Sequence, residues 1–147
     1  MKCLQLVCIL GTSLFFATHR VTIPGTVNIS FPAVLVNEGG DYSASTGVFT
    51  CRNTGHYWFA STLTKFYHDS AGYVYCRVMI NGMYQLQMYT QPNTDVTAAY
   101  SMSFSAGFHL RLGDRVQVGD RGNPDHIIND FDTFFSGILI KPDRHFD

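Results

Sequence analysis

The sequence predicts an all-β fold, a β-sandwich of about ten antiparallel strands, on three observations. Apolar and polar residues alternate with period two in several segments, as they do when successive side chains point to opposite faces of a strand. Short segments are separated throughout by clusters of Gly, Asn, Asp and Pro. The composition has twelve Phe and eight Tyr but a single Glu, which favours strands over helices. At 147 residues the chain is one domain's worth, and a domain of this size buries roughly 70% of the surface its unfolded chain exposes.

In chain order, Val27, Ile29 and Phe31 share one face of a strand, with Pro32 suited to an edge or a bulge. Over residues 56–66, Tyr57, Phe59, Ser61 and Leu63 oppose Trp58, Ala60, Thr62 and Thr64. A strand over 73–80 ends in Asn81-Gly82, a pair that tolerates the positive φ angles of a tight hairpin, and 83–89 returns from it. The clearest alternation sets Ala98, Tyr100, Met102 and Phe104 against Ala99, Ser101, Ser103 and Ser105. Further strands are expected at 108–112, 115–118 and 133–140, with turns at 37–40, 46–47, 53–55, 113–114 and 119–124. About ten strands in paired layers make a jelly roll or a related double Greek key, with no helix longer than about two turns beyond the N-terminal segment. Internal repeats, collagen triplets and heptads are missing.

The chain opens Met1-Lys2-Cys3-Leu4 and stays apolar to Leu10, the pattern of a secretory signal and too short to span a bilayer. Residues 1–13 therefore read as a signal, with its boundary between 13 and 18, and 14–147 as the globular domain. A net charge of −1 offers no basic field for phosphate backbones or an anionic membrane, which argues against nucleic acid as a partner.

Several pieces together resemble the complement C1q globular head family. They are Phe31 with Val34-Leu35-x-Asn37-Glu38-Gly39-Gly40-x-Tyr42, then Thr46-Gly47-Val48-Phe49-Thr50-Cys51, then Gly55-x-Tyr57-x-Phe59. They continue with Asn81-Gly82, Leu110-x-x-Gly113-Asp114-x-Val116 and Phe135-Ser136-Gly137-Ile138-Leu139, followed by Pro142, while Leu14-Phe15-Phe16-Ala17 looks like the family's first strand. The chain departs from the family where Arg52-Asn53-Thr54 replaces the usual Pro after the Cys and where Gln117 replaces an aromatic residue. The resemblance implies a tumour necrosis factor-like jelly roll, secreted, of the head-only type. It also implies a homotrimer that binds microbial or self surface ligands, such as glycans or lipopolysaccharide, in innate immunity. A chain this rich in Phe and Tyr is expected to carry more apolar surface than one sandwich interior hides, which agrees with a trimer. The alternatives from other classes are a structural or matrix trimer and a tumour necrosis factor-like signalling ligand.

The expected ligand surface is Arg115, Asp120, Arg121, Asn123, Asp125 and His126, whose side chains can pair with sugar hydroxyls or phosphates. Seven of the ten Asp residues fall between Asp114 and Asp147, and the 119–132 stretch holds Asp120, Asp125, Asp130 and Asp132, so this stretch is either a calcium site or a solvated connecting loop. No cofactor is required, and calcium is the metal it would take. Cys51 and Cys76 are either one disulfide or two buried thiols. A zinc site from Cys51, His56, His68 and Cys76 is not expected, because their spacing matches no compact zinc module. Asn28-Ile29-Ser30 is a glycosylation sequon inside an expected strand. No nucleophile elbow, paired-His motif or phosphate loop is present, and the chain reads as a binding protein that is not an enzyme.

Overall fold

A computed structural model of the protein describes residues 11–19, 21–22, 28–64, 74–90, 100–120 and 133–144. Among them the chain is all-β, with no helix. The strands are β1 (Leu14–Thr18), β2 (Val21–Thr22), β3 (Ile29–Ser30), β4 (Ala33–Glu38), β5 (Tyr42–Ser43) and β6 (Val48–Thr50). They continue as β7 (Gly55–Thr64), β8 (Val74–Ile80), β9 (Met83–Thr90), β10 (Ser101–Leu110), β11 (Arg115–Asp120) and β12 (Phe134–Pro142). Two five-stranded antiparallel sheets, ordered β10-β7-β12-β1-β4 and β5-β6-β11-β8-β9, form a jelly-roll sandwich, and β2 pairs with β3 beside them.

The core is an aromatic stack that crosses between the sheets. Phe15 of β1 lies face to face with Tyr42 of β5, ring centroids 4.7 Å apart and planes within 4°. Phe135 meets Phe15 edge-on at 5.0 Å, and Phe49 lies 5.6 Å away. Such contacts contribute roughly 0.5–1.5 kcal/mol per pair beyond the area they bury. The Tyr42 hydroxyl is satisfied within this core by the Phe31 backbone, accepting from its N–H at 2.9 Å. Gly137 of β12 leaves room for the stack, since a Cβ there would stand 2.5 Å from Phe59 Cε1 and 2.6 Å from Phe15 Cε1.

The period-two reading holds along β7, where Tyr57, Phe59, Ser61 and Leu63 are buried and His56 and Trp58 are exposed. It holds along β10, where Met102 and Phe104 point inward and Ser101, Ser103 and Ser105 outward. Three expectations need correction. The strands read at 98–105 and 108–112 join in one strand over Ser101–Leu110, because Gly107 lies under the Trp58 indole and does not break the ladder, while Ala98 and Ala99 lie outside the described residues. The turn read at 37–40 is narrower: Asn37 and Glu38 still belong to β4, and the reversal falls on Gly39 and Gly40, both at positive φ. Gly119 and Asp120, read as the start of a turn, belong to β11, and near β3 Ser30 is as buried as Ile29 and Phe31, its hydroxyl donating to the Ala44 carbonyl. The hairpin at Asn81-Gly82 has φ of 53° and 76°, the pair of positive values such a turn requires.

β1 is an interior strand, between β12 and β4, with Phe15 and Ala17 in the core. Residues 1–10 of the segment read as a signal lie outside the described residues. Just before β1, the Ser13 carbonyl accepts from Leu139 N–H at 2.9 Å, so the sheet pairing begins at Ser13. Cys51 and Cys76 are both buried and no disulfide joins them, which favours the buried-thiol alternative. Cys51 Sγ instead faces the Asn53 carbonyl at 3.2 Å and the Tyr57 hydroxyl at 3.7 Å.

Candidate ligand surfaces and family membership

The two sheets present outer faces of different character. Across the first, the register places Glu38, Leu14, Ile138, Trp58 and Gly107 in one row spanning all five strands. Trp58 is 47% exposed and Ile138 40%. Phe16 and Phe134 stack at 5.4 Å on the same face. Small polar residues of β10 border it, with Ser103 bonded to Thr62 and Ser101 to Thr64, both at 2.9 Å. An apolar strip of this kind on an antiparallel sheet calls for a partner surface.

The second sheet is polar and aromatic on its outside. On β8 and β9, Arg77 lies over the rings of Tyr75 at 5.4 Å and Tyr84 at 5.0 Å, and its Nε donates to Gln87 Oε1 at 3.3 Å. Tyr75 and Tyr89 are directly opposite across the hairpin. Half-exposed aromatic rings beside a guanidinium and an amide can stack on a flat apolar ring face and hydrogen-bond its rim.

At the hairpin end of this sheet, Asn28, Asn81, Gly82, Arg115 and Gln117 line an open cleft of 440 Å³. Its wall is built by two turns that lock together. Asn81 Nδ2 donates to Asp114 Oδ1 at 2.9 Å, while Asn81 Oδ1 accepts from the Arg115 N–H at 2.9 Å. Asp114 Oδ2 also accepts from Arg111 N–H at 2.8 Å. These donors hold the Asp114 carboxyl below the ordinary aspartate range, the Arg111 amide contributing most.

Of the expected ligand residues, Arg115 opens β11, is exposed and lines this cleft. Asp120 closes β11, its backbone paired with Cys76. Arg121, Asn123, Asp125 and His126 lie outside the described residues, and with them most of the Asp-rich stretch considered for calcium. Asn28 of the sequon borders the cleft and bridges to Gly119. Its partner Ser30 is buried, so a transferase would have to read this sequon before the domain folds. The zinc set that the spacing argued against does not assemble: Cys51 and Cys76 face the core while His56 faces outward, and His68 lies outside the described residues.

Two features escaped the sequence reading. Arg52, which stands where the family has Pro, donates to the Gly39 carbonyl at 3.1 Å and sets its Nε 3.3 Å from Asp41 Oδ1. The buried Asp41 carboxylate makes no hydrogen bond within the described residues, so this ion pair supplies its countercharge. The Tyr75, Arg77, Tyr84 and Gln87 platform joins residues of two strands across a hairpin, and only the register reveals it.

The fold resembles solved structures of two kinds. The globular domain of the zebrafish complement 1qA protein superposes with a TM-score of 0.68 at 20% identity, covering 90% of this chain and 99% of that one. Murine APRIL at pH 5.0 superposes with a TM-score of 0.67 at 18% identity, covering 88% and 99%. In sequence, mouse complement C1q and tumor necrosis factor-related protein 9 is 31% identical over 123 residues, which is 80% of this chain and 34% of that protein. Human complement C1q tumor necrosis factor-related protein 2 is 30% identical over 121 residues, 79% of this chain and 40% of that protein. The chain thus spans between a third and two fifths of the length of these relatives. The C1q domain family model matches residues 14–140, from the first strand of the sandwich into the last, and the chain belongs to the C1q domain family.

Proposed function

We propose that the chain is a secreted recognition protein whose heads associate as homotrimers and bind microbial glycans or lipopolysaccharide as part of innate immunity. The observation that carries this reading is the contrast between the faces. The row through Trp58 and Ile138 suits self-association, while the second sheet keeps a polar and aromatic surface turned away from it. Three copies of a weak site on one rigid body multiply its effect through avidity. The ligand contacts in this reading are Arg77, Tyr84 and Gln87 on the sheet, together with Arg115, Asp120, Arg121, Asn123, Asp125 and His126. Any calcium would be held by the Asp-rich stretch in the 119–132 segment.

Binding without catalysis is supported by the state of the candidate nucleophiles. Burial raises the Cys51 thiol above the ordinary cysteine value, the opposite of what an attacking thiolate needs. No described helix is long and apolar enough to cross a membrane.

The test is a screen of the purified chain against glycans, lipopolysaccharide and bacterial surfaces, with calcium and with chelator. Arg77→Ala with Tyr84→Ala, and Arg121→Ala with Asp125→Ala, should each weaken attachment while leaving thermal stability nearly unchanged. A chelator should mimic the Asp125 variant if calcium takes part, and added salt should weaken binding if only the Arg contacts do. Failure to bind any of these surfaces, together with trimeric assembly, would favour a structural trimer. Specific capture of a cell-surface protein receptor instead would favour a tumour necrosis factor-like ligand.

A further inference from the structure

We propose that His56, His109 and Asp143 form a three-ligand site for a divalent ion of the zinc class. Their donor atoms all lie within 4.8 Å of one another. His56 on β7 and His109 on β10 are directly opposite residues of one antiparallel ladder, and their rings meet edge to face with centroids 4.8 Å apart. Asp143 follows β12, and its backbone N–H donates to the Thr54 carbonyl at 2.8 Å, two residues before His56. Its carboxylate oxygens stand 2.9 Å and 3.1 Å from His109 Nε2. Three strands therefore fix the backbone beneath the three donors before any ion arrives.

The geometry is within reach of tetrahedral coordination. Zinc bonds of about 2.0–2.1 Å place neighbouring donors roughly 3.4 Å apart. The contact between His109 and Asp143 is already tighter than that, so these two donors need only part slightly to admit an ion. His56 has to swing inward by at most about 1.4 Å, and its exposure leaves it free to do so. A simple ion pair explains why His109 and Asp143 meet. It does not explain a second imidazole at the same point, which forms no hydrogen bond with either of them.

The donor set also selects among metals. Two imidazoles with one carboxylate suit zinc, nickel or copper, whereas calcium and magnesium want oxygen ligands alone. The fourth position opens to solvent and could take water or a donor from a bound ligand. Lys141, opposite His56 from β12, is a like charge on the same row and moderates the affinity. The site uses none of the Asp residues of the 119–132 segment considered for calcium, and it does not depend on trimer formation or glycan binding.

The experiment is calorimetric titration of the tag-free full chain with zinc, with cobalt absorption as a second readout. One ion per chain at micromolar affinity is expected, with the intense visible bands of four-coordinate cobalt. His56→Ala and His109→Ala should each weaken zinc binding by about tenfold or more, and the pair should abolish it. Millimolar calcium should not compete. Circular dichroism of the variants checks that these exposed substitutions leave the sandwich folded. Absence of zinc uptake at sub-millimolar concentration would overturn the proposal, and so would uptake that survives in the folded His56→Ala/His109→Ala variant.

Discussion

The side-chain amide of Asn81 donates to the carboxylate of Asp114 at 2.9 Å, so a hairpin tip and a turn 33 residues further along close on one another. Each belongs to a short Asn-Gly or Gly-Asp signal that the sequence displays separately. Their union braces the cleft wall and leaves Arg115 at its rim.

That bond makes stability depend on acid. The Arg111 amide and the Asn81 side chain lower the Asp114 pKa in the folded state, so the folded protein binds this proton less readily than the unfolded chain. The stabilisation is fully present above the unfolded value of about 3.9 and is lost as pH falls through the lower folded value. Because the group is largely solvated, Asp114→Ala should cost only about 1 kcal/mol at neutral pH. Urea melts at several pH values should show wild type and variant converging as the pH falls below the unfolded value. Parallel curves at every pH would mean that the carboxylate contributes nothing specific.

Gly137→Ala should be among the most damaging single-methyl additions in the molecule. Its new Cβ would meet the edges of Phe59 and Phe15 at 2.5 Å and 2.6 Å inside an aromatic stack with no slack. Overpacking of this kind costs about 1–3 kcal/mol, and sometimes more. A thermal melt unchanged by the substitution would show that the stack can shift as a unit.

Cys51 and Cys76 should resist thiol reagents in the native protein and both react once it is unfolded in denaturant without reductant. Each is buried, and burial raises the Cys51 pKa so that little thiolate exists at neutral pH. If Cys51 and Cys76 stay unlabelled in denaturant until reductant is added, they are joined by a disulfide instead.

The row through Trp58 and Ile138 should control assembly. Trp58→Thr with Ile138→Thr keeps residues that favour strands while removing the two exposed apolar side chains. Light scattering at micromolar concentration should move from trimer to monomer, with a change in the monomer's own stability of about 1 kcal/mol or less. A wild-type monomer under the same conditions would remove the basis for the trimer.

Much of the fold is legible in the sequence because the signals that specify it are local. Side-chain alternation puts Tyr57, Phe59 and Leu63 on one face and Trp58 on the other without knowledge of the partner strand, and packing makes the first face the buried one. Asn81-Gly82 declares its turn through the backbone angles its residues tolerate. What the tertiary structure alone decides is which faces meet. His56 and His109 lie 53 positions apart and become neighbours only through the β7–β10 register. Arg52 gains a role only because the Gly39-Gly40 turn and the buried Asp41 fold back beneath it. The burial of Ser30 and the continuity of β10 through Gly107 have the same origin, since a hydroxyl can be buried when a carbonyl awaits it and a glycine can sit mid-strand beneath an indole. Local periodicity determines the strands and their faces, while register and sheet packing, which depend on contacts between distant residues, assemble the sites.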